Sequence, residues 1–334
     1  MNAIKNKMEV VFFISCEMSN YNGDPDFADA PRTIFQNGHG FMTDVSIKRR
    51  IRDYIQDAMA GTPGYDIFVR NAVNINRQIA GCVIEASGDE PVIKGKKAVE
   101  AAEIAKKKFF DVRCFGAVMT TGINAGQVNG AVQIRIPQSY DPVQIENVAI
   151  TRLAYTEKDF TTLEAYDEYD KTIDDDKKRT MGEKPVCVYA LFPCHVFVSA
   201  NLAQKNGFSE KDFNLLLESI MNMYSYQTSA SKSGMSIVGP VIVFKHVGRS
   251  DDNNVEQKER EALLGCVPTQ RLLRLIDVHK KDGVETPISH TDYDATINVS
   301  ALPSGVEVGF KYGAFEDIQW GHTDATADDW MKEI

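Results

Sequence analysis

Two carboxylates in an early loop have the spacing of metal ligands. The segment Asn22-Gly23-Asp24-Pro25-Asp26 sets Asp24 and Asp26 two residues apart among turn-forming residues, so both could hold Mg²⁺ beside a phosphate. His39, between two glycines, could act as a general base. The segment provides no third acid and no basic helper, and aspartates also shape turns. The loop is therefore either a metal-dependent ribonuclease centre or a structural turn, and the sequence favours the turn.

A dense group of cations follows this loop. It consists of Arg32, Lys48, Arg49, Arg50 and Arg52. The last four lie near the start of a predicted helix whose N-cap is Thr43 or Asp44. A helix macrodipole disfavours cations near its start unless an anion compensates for them. A cluster of charged residues on a helix usually forms only a solvated face. The position of these cations near the start of the helix instead favours phosphate binding.

Strands and helices alternate around these groups. Met8 to Cys16 reads as a buried strand that leads into the loop, and the helix after the loop runs to about Ala60. Val186 to Ala200 and Ile237 to His246 are two further apolar strands. Between them, Ser209 opens a helix with an acidic first turn.

Two shorter segments also read as strands. Ala131 to Ile136 alternates apolar and polar residues, and Asp111 to Ala117 is strand-like. The simplest arrangement is β–α–β … β–α–β with insertions, an α+β fold of the ferredoxin-like or RRM type. The aromatic signature of an RRM is missing from the inner strands, so RNA contacts are expected from loops and insertions.

The acidic residues are concentrated in two segments. Residues 157–178, inside a polar excursion from Pro137 to Glu183, carry nine acids against four bases, and residues 314–334 carry six against one. Together they account for the whole net charge of −10. Because salt limits charge interactions to about 10 Å, an acidic chain can still hold a local basic groove.

Composition indicates an ordinary globular protein, with 43% apolar and 25% charged residues. No apolar run approaches the roughly 20 residues that span a bilayer, and the N-terminus has no apolar signal core. We therefore expect a cytoplasmic protein without a membrane partner. The six cysteines include no Cys-x-x-Cys pair and the six histidines are isolated, so we expect no metal or other cofactor.

Ordered motifs run along most of the chain. They are Ser19-Asn20-x-Asn22-Gly23-Asp24-Pro25, Pro31-Arg32-Thr33, Gly38-His39-Gly40-x-x-Thr43-Asp44-Val45, Lys48-Arg49-x-Ile51-Arg52, Asp111-Val112-Arg113-x-Phe115-Gly116-Ala117, Gly126-Gln127-Val128-x-Gly130 and Thr180-Met181-Gly182. Together they resemble the CRISPR-associated backbone subunit of type I Cascade, in its C-subtype form, a crRNA-binding family of the RAMP superfamily. The resemblance covers roughly Val10 to His246.

The resemblance implies a hand-shaped protein with an RRM-like palm and finger, web and thumb insertions. The implied divisions are a first half of the palm with the finger (1–136), a thumb (137–185), a second half of the palm (186–250) and a C-terminal extension (251–334). Copies of such a subunit stack into a helical filament along a CRISPR RNA and present its bases to target DNA. The other partners are the large subunit and the subunit that binds the crRNA handle. The family's subunit has no nuclease activity in type I systems.

The resemblance also assigns residues to RNA. The palm residues that grip its backbone are Asn22, Arg32, Thr43, Lys48, Arg49 and Arg52. Ser231 and Lys232 fall in a second RNA-contacting loop, and Met181 is a wedge against a stacked base. Glu183 is a departure, because the family often has a basic residue after Met-Gly.

Overall fold

The computed structural model describes residues 2–88, 97–156, 158–250 and 253–321. The strands are β1 (Met8–Ser19), β2 (Gly23–Asp24), β3 (Ala30–Pro31), β4 (His39–Phe41), β5 (Gly116–Val118), β6 (Gln127–Asn129), β7 (Val132–Ile134), β8 (Gln138–Pro142), β9 (Ile145–Arg152), β10 (Thr180–Val198), β11 (Met235–His246), β12 (Ile276–Lys280), β13 (Tyr293–Ile297), β14 (Val306–Lys311) and β15 (Gln319–Trp320). The helices are α1 (Asp44–Ala58), α2 (Ile75–Ser87), α3 (Ala98–Lys108), α4 (Phe110–Phe115), α5 (Leu163–Thr172), α6 (Ala200–Asn206), α7 (Glu210–Asn222), α8 (Val255–Leu264) and α9 (Thr269–Leu273).

One antiparallel sheet, ordered β15-β14-β11-β1-β10-β7, forms the centre of the molecule. β1 is buried on both faces, as its continuous apolar run predicts. Phe12 and Ile14 belong to the core beneath α1 and α7, whereas Val11 and Phe13 belong to a second core on the other face. The sheet therefore has a covered layer on each side.

The main predicted elements are confirmed, and the fold is α+β. Thr43 is the N-cap of α1, and Ser209 with Asp212 forms a capping box at α7. Each satisfies amides that would otherwise have no partner at a helix start. β7 buries Val132 and Ile134 and exposes the intervening residue, as its alternation predicts.

The predicted strand from Asp111 to Ala117 is wrong for residues 111–115 and correct for Gly116 and Ala117, which belong to β5. Residues 110–115 form the helix α4, and all six of its side chains are buried. Its composition is strand-like, but ion pairs with distant residues hold its polar side chains inside the protein. α4 ends at Gly116, where φ is +82°. A Cβ on Gly130 would lie 2.1 Å from the carbonyl carbon of Phe115, so this close approach requires glycine.

A small separate core supports the segment between α1 and β7. It joins α2 and α3 with residues of α4 and β6. The sequence left residues 71–88 unassigned, and they include α2. The alanine- and lysine-rich composition of residues 94–108 predicts a helix; Ala98–Lys108 is α3, and residues 94–96 lie outside the described residues.

The segment predicted as a C-terminal extension contributes to the central sheet. β14 pairs with β11, and side chains of β13 and α9 fill the core on the second face of β1. Residues 322–334, which include most of the acidic tail, lie outside the described residues. Among the helices described, none is long and apolar enough to cross a membrane.

Candidate nucleic-acid interface

The loop between β1 and α1 is tied to the start of α1. The Asn22 side-chain oxygen accepts hydrogen bonds from the Thr43 amide (2.8 Å) and hydroxyl (3.0 Å). Thr43 in turn caps α1 by accepting from the Ser46 amide. The Arg32 amide donates to the Asn22 carbonyl. The structure thus brings together three of the predicted RNA-contacting residues at one helix start.

Two of the predicted cations on α1 are paired with carboxylates on the same helix. Lys48 Nζ lies 2.8 Å from Asp44 Oδ2, and its side chain is mostly buried against the Phe115 ring. Arg49 makes a two-pronged pair with Asp53, with its Nε 3.0 Å from Oδ2. Arg49 remains 40% exposed. The positive charge at this helix start is therefore partly neutralised by the protein itself.

Arg52, which the resemblance assigns to the RNA backbone together with Lys48 and Arg49, lies inside the protein. Its side chain is 10% exposed, and its Nε is 2.8 Å from Asp111 Oδ2. The amides of Phe68 and Val69 donate to the same carboxylate. An unpaired buried carboxylate costs several kcal/mol. The geometry of Arg52 therefore supports a structural function.

One of the two carboxylates of the possible metal site, that of Asp24, is occupied within the loop. Asp24 accepts from Arg32 Nη1 at 2.9 Å and from the Asp26 amide. The ring nitrogen Nδ1 of His39 bonds to the Ser139 carbonyl at 2.7 Å. No group of three or more His, Cys, Asp or Glu side chains in the described ranges is arranged to hold a metal ion. These contacts are those of a structural turn.

Lys232 closes the second loop onto the first. Its ammonium donates to the carbonyls of Asn20 (2.6 Å) and Tyr21, and the Asn20 amide donates to the Ser231 carbonyl. Ser231 itself is exposed. Burial lowers the pKa of Lys232 to about 8, and the positive charge of Arg50 adds to that effect. Lys232 therefore lies beside the start of α1 but faces inward.

Met181 lies on a two-stranded ribbon that leaves the central sheet. β9 pairs with residues 180–187 of β10, and the residues of this ribbon are largely exposed. Met181 is a strand residue opposite Thr151, with 76% of its surface exposed. At the base of the ribbon, Lys184 donates to the Ala230 carbonyl, next to Ser231. The ribbon therefore rises from the edge of the site.

Arg50 belongs to the group of cations whose position favours phosphate binding, but the family resemblance does not assign it to RNA. Along the described part of the chain, it forms no ion pair and no hydrogen bond with a side chain, unlike Lys48, Arg49 and Arg52. The ion pairs of Lys48 and Arg49 could have been predicted from the sequence, since Asp44 and Asp53 lie four residues from them on the same helix. No carboxylate stands four residues from Arg50 on either side.

Comparison with known families gives one match over most of the chain. Residues 6–298 match the model of the family described as CRISPR-associated protein Cas7. A curated relative, CRISPR-associated protein Cas7 of Haloferax volcanii, is 25% identical over 230 residues, which are 63% of this chain and 62% of the relative. The matched part thus spans about three fifths of that relative's length.

Two solved structures are similar at low sequence identity. A chain of a CRISPR RNA-guided surveillance complex in a pre-nicking state is 14% identical, with a TM-score of 0.44, over 80% of this chain and 86% of that one. A chain of another CRISPR RNA-guided surveillance complex is 13% identical, with a TM-score of 0.44, over 80% of each chain.

Proposed function

The chain belongs to the CRISPR-associated Cas7 family, and we propose that it is the non-catalytic backbone subunit of a type I-C Cascade complex, which stacks along a CRISPR RNA. The family match over residues 6–298 is the observation that carries this proposal. The assignment to the C subtype rests on the ordered sequence motifs. The Asp24 and Asp26 alternative is not favoured, because Asp24 is engaged by Arg32.

We propose that the central sheet is the ferredoxin-like palm of this family. In a β–α–β–β–α–β chain, the fourth strand lies beside the first and the second beside the third. The order β11-β1-β10-β7, with α1 after β1 and α7 after β10, agrees with that arrangement. The palm would then comprise parts of 1–136 and 186–250, with the finger between α1 and β7.

The ribbon of β9 and β10 supports the assignment of the thumb to residues 137–185. A two-stranded ribbon is marginally stable in water by itself, yet this one is exposed over most of its length. Such an element suits contacts with RNA and with a second copy of the chain. Met181, exposed on it, is our candidate for the wedge against a stacked base.

Backbone contacts fix the register of a nucleic acid without reading its sequence. Our candidates for such contacts remain Asn22, Arg32, Thr43, Lys48, Arg49, Ser231 and Lys232. For Arg52 we propose a structural function instead. The bases left free would pair with target DNA, while the large subunit and the handle-binding subunit complete a cytoplasmic complex.

Co-purification with a CRISPR RNA tests the function. We expect the protein, expressed with a CRISPR array and its partner subunits, to retain an RNA of discrete length, detected by denaturing gel and by absorbance at 260 and 280 nm. The double variant Asp24→Asn and Asp26→Asn should retain the same RNA. Retention of no RNA would refute the scaffold, and RNA cleavage that disappears in the double variant would favour the ribonuclease.

A further inference from the structure

We propose that the acidic face of helix α5 docks on a lysine surface of a second copy of the chain. The lysine surface consists of Lys106, Lys107, Lys205 and Lys211. This inference rests on the proposed function for the stacking of copies, and it identifies two surfaces that would meet when copies stack.

Helix α5 is uncovered in the described part of the chain. None of the residues Leu163–Thr172 is buried, although an isolated helix shorter than about 12 residues is only marginally stable in water. One side of the helix packs through Tyr166 and Tyr169, whose rings lie 5.0 and 5.2 Å from the ring of Phe160. A helix with so few contacts gains stability when a second surface covers it.

The opposite side of α5 is negatively charged. Asp167 and Glu168 lie three and four residues after Glu164, so the three side chains share one face of the helix, and all three are exposed. Lys171 lies on the same face. Within the described ranges, the ion pairs of this insertion belong to residues 174–178. Because like charges at this spacing repel each other, the face favours a cationic partner.

Contacts between α3, α4, α6 and α7 bring the lysine surface together. Lys106 Nζ donates to the Lys205 carbonyl at 2.9 Å. Arg113 Nη1 donates to the Lys106 carbonyl, and its guanidinium lies 5.1 Å from the centre of the Tyr65 ring. Lys211 Nζ lies 5.1 Å from the centre of the same ring. The lysines of these helices are therefore neighbours in the structure.

The lysine surface carries an excess of positive charge. Lys107, Lys205 and Lys211 are exposed, and in the described ranges none of them pairs with a carboxylate, whereas Lys106 pairs with Glu103. Cations at the end of a helix can offset its macrodipole, which accounts for Lys107 and Lys205 at the ends of α3 and α6. It does not account for Lys211, which lies in the first turn of α7. Three exposed carboxylates on α5 are complementary to these three lysines.

The two surfaces lie toward opposite ends of β10 and do not meet within one copy. Helix α5 precedes β10, whose residues 180–187 belong to the ribbon, and α6 with Lys205 follows β10 at its other end. The remaining part of β10, from Cys187 to Val198, is about 36 Å long at about 3.3 Å per residue. A contact between different surfaces of identical subunits is heterologous and can propagate along a filament. This is the type of contact that stacked copies require.

Zero-length crosslinking is the first measurement. A carbodiimide joins a lysine amine to a carboxylate only where the two groups are in contact. In the complex assembled on a CRISPR RNA, we expect mass spectrometry to find the α5 peptide joined to peptides that contain Lys107, Lys205 or Lys211. A complex that holds RNA and several copies but yields no such crosslink would overturn the proposal. The same crosslinks in dilute single copies would place the contact within one chain and would also overturn it.

Charge reversal is the second measurement. Two triple variants reverse the two surfaces, namely Glu164→Lys with Asp167→Lys and Glu168→Lys, and Lys107→Glu with Lys205→Glu and Lys211→Glu. Because each replaces attraction by repulsion, we expect each to raise the protein concentration for half-maximal assembly on RNA about tenfold or more, as measured by sedimentation. The combined variant should return to within about threefold of the wild-type value. The control is Lys281→Glu, at an exposed lysine outside the surface, and it should assemble normally.

The results separate this contact from the proposed function. If the wild-type protein assembles on RNA and the combined variant is not rescued, the contact is refuted and the scaffold stands; this is also the result expected if the lysine surface binds nucleic acid. If the wild-type protein retains no RNA, the proposed function fails. Crosslinks that then appear only at high protein concentration would still support the contact, and their absence would refute it.

Discussion

Replacing Arg52 by alanine should destabilise the fold rather than merely weaken RNA binding. Arg52 is 10% exposed, and its removal leaves the buried Asp111 carboxylate without a cation. Breaking a buried pair costs about 3–5 kcal/mol. The amides of Phe68 and Val69 still donate to Asp111, so we expect a value near the lower end, about 3 kcal/mol.

Thermal unfolding of the purified protein measures this loss. With an average unfolding entropy of about 2.1 cal/mol/K per residue, 3 kcal/mol lowers the Tm of a 334-residue chain that unfolds as one unit by about 4 °C. Arg49→Ala is the control, because its pair with Asp53 is exposed and worth less than about 1 kcal/mol. An unchanged Tm for Arg52→Ala, together with a loss of RNA binding larger than that of Arg49→Ala, would show that Arg52 faces RNA and that the argument is wrong.

Three further outcomes are expected. Gly130→Ala should sharply reduce soluble yield and Tm, because the new Cβ would meet the Phe115 backbone at 2.1 Å, whereas Gly182→Ala, with nothing within 4 Å of its Cβ, should change neither. Met181→Ala should leave the Tm unchanged but blur the regular nuclease footprint on bound RNA; an unaltered footprint would contradict the wedge. If Arg50 and Lys232, the two cations beside the start of α1 without a carboxylate partner in the described ranges, neutralise a single phosphate between them, a plot of log K against log salt should have a slope of about −0.7 per subunit, and a slope several times steeper would mean that Arg32, Lys48 and Arg49 also bind phosphates.

The framework of the fold could be predicted because its signals are local. β1, β10 and β11 are long apolar runs, and the start of α7 carries its capping box within four residues. α4 was mistaken for a strand because its stability comes from outside the helix. Its Arg113 pairs with Asp212, 99 residues away, and no local pattern contains that information.

The electrostatics of the site could be predicted only in part. Asp44 and Asp53 stand at four-residue spacing from Lys48 and Arg49, so their ion pairs could have been derived from the sequence. The pairing of Arg52 with Asp111 depends on the tertiary fold. The number of cations in the sequence therefore overestimates the positive charge at the start of α1. Arg50 can be recognised as the cation without a carboxylate partner only once the structure has shown the partners of Lys48, Arg49 and Arg52.

The small number of cations beside the start of α1 without a carboxylate partner agrees with the proposed assembly. If each copy held RNA through five or six free cations, a single copy would bind RNA tightly and without regard to its neighbours. A copy with two uncompensated cations binds weakly alone, so stable occupancy requires neighbouring copies on the same strand, whose sites then act at high effective concentration. The ribbon of β9 and β10 has the same dependence, because an exposed two-stranded element gains stability when a neighbour covers it. Both features couple RNA binding to stacking. The fraction of RNA that is bound should therefore rise steeply with protein concentration for the wild-type protein and less steeply when the ribbon is shortened.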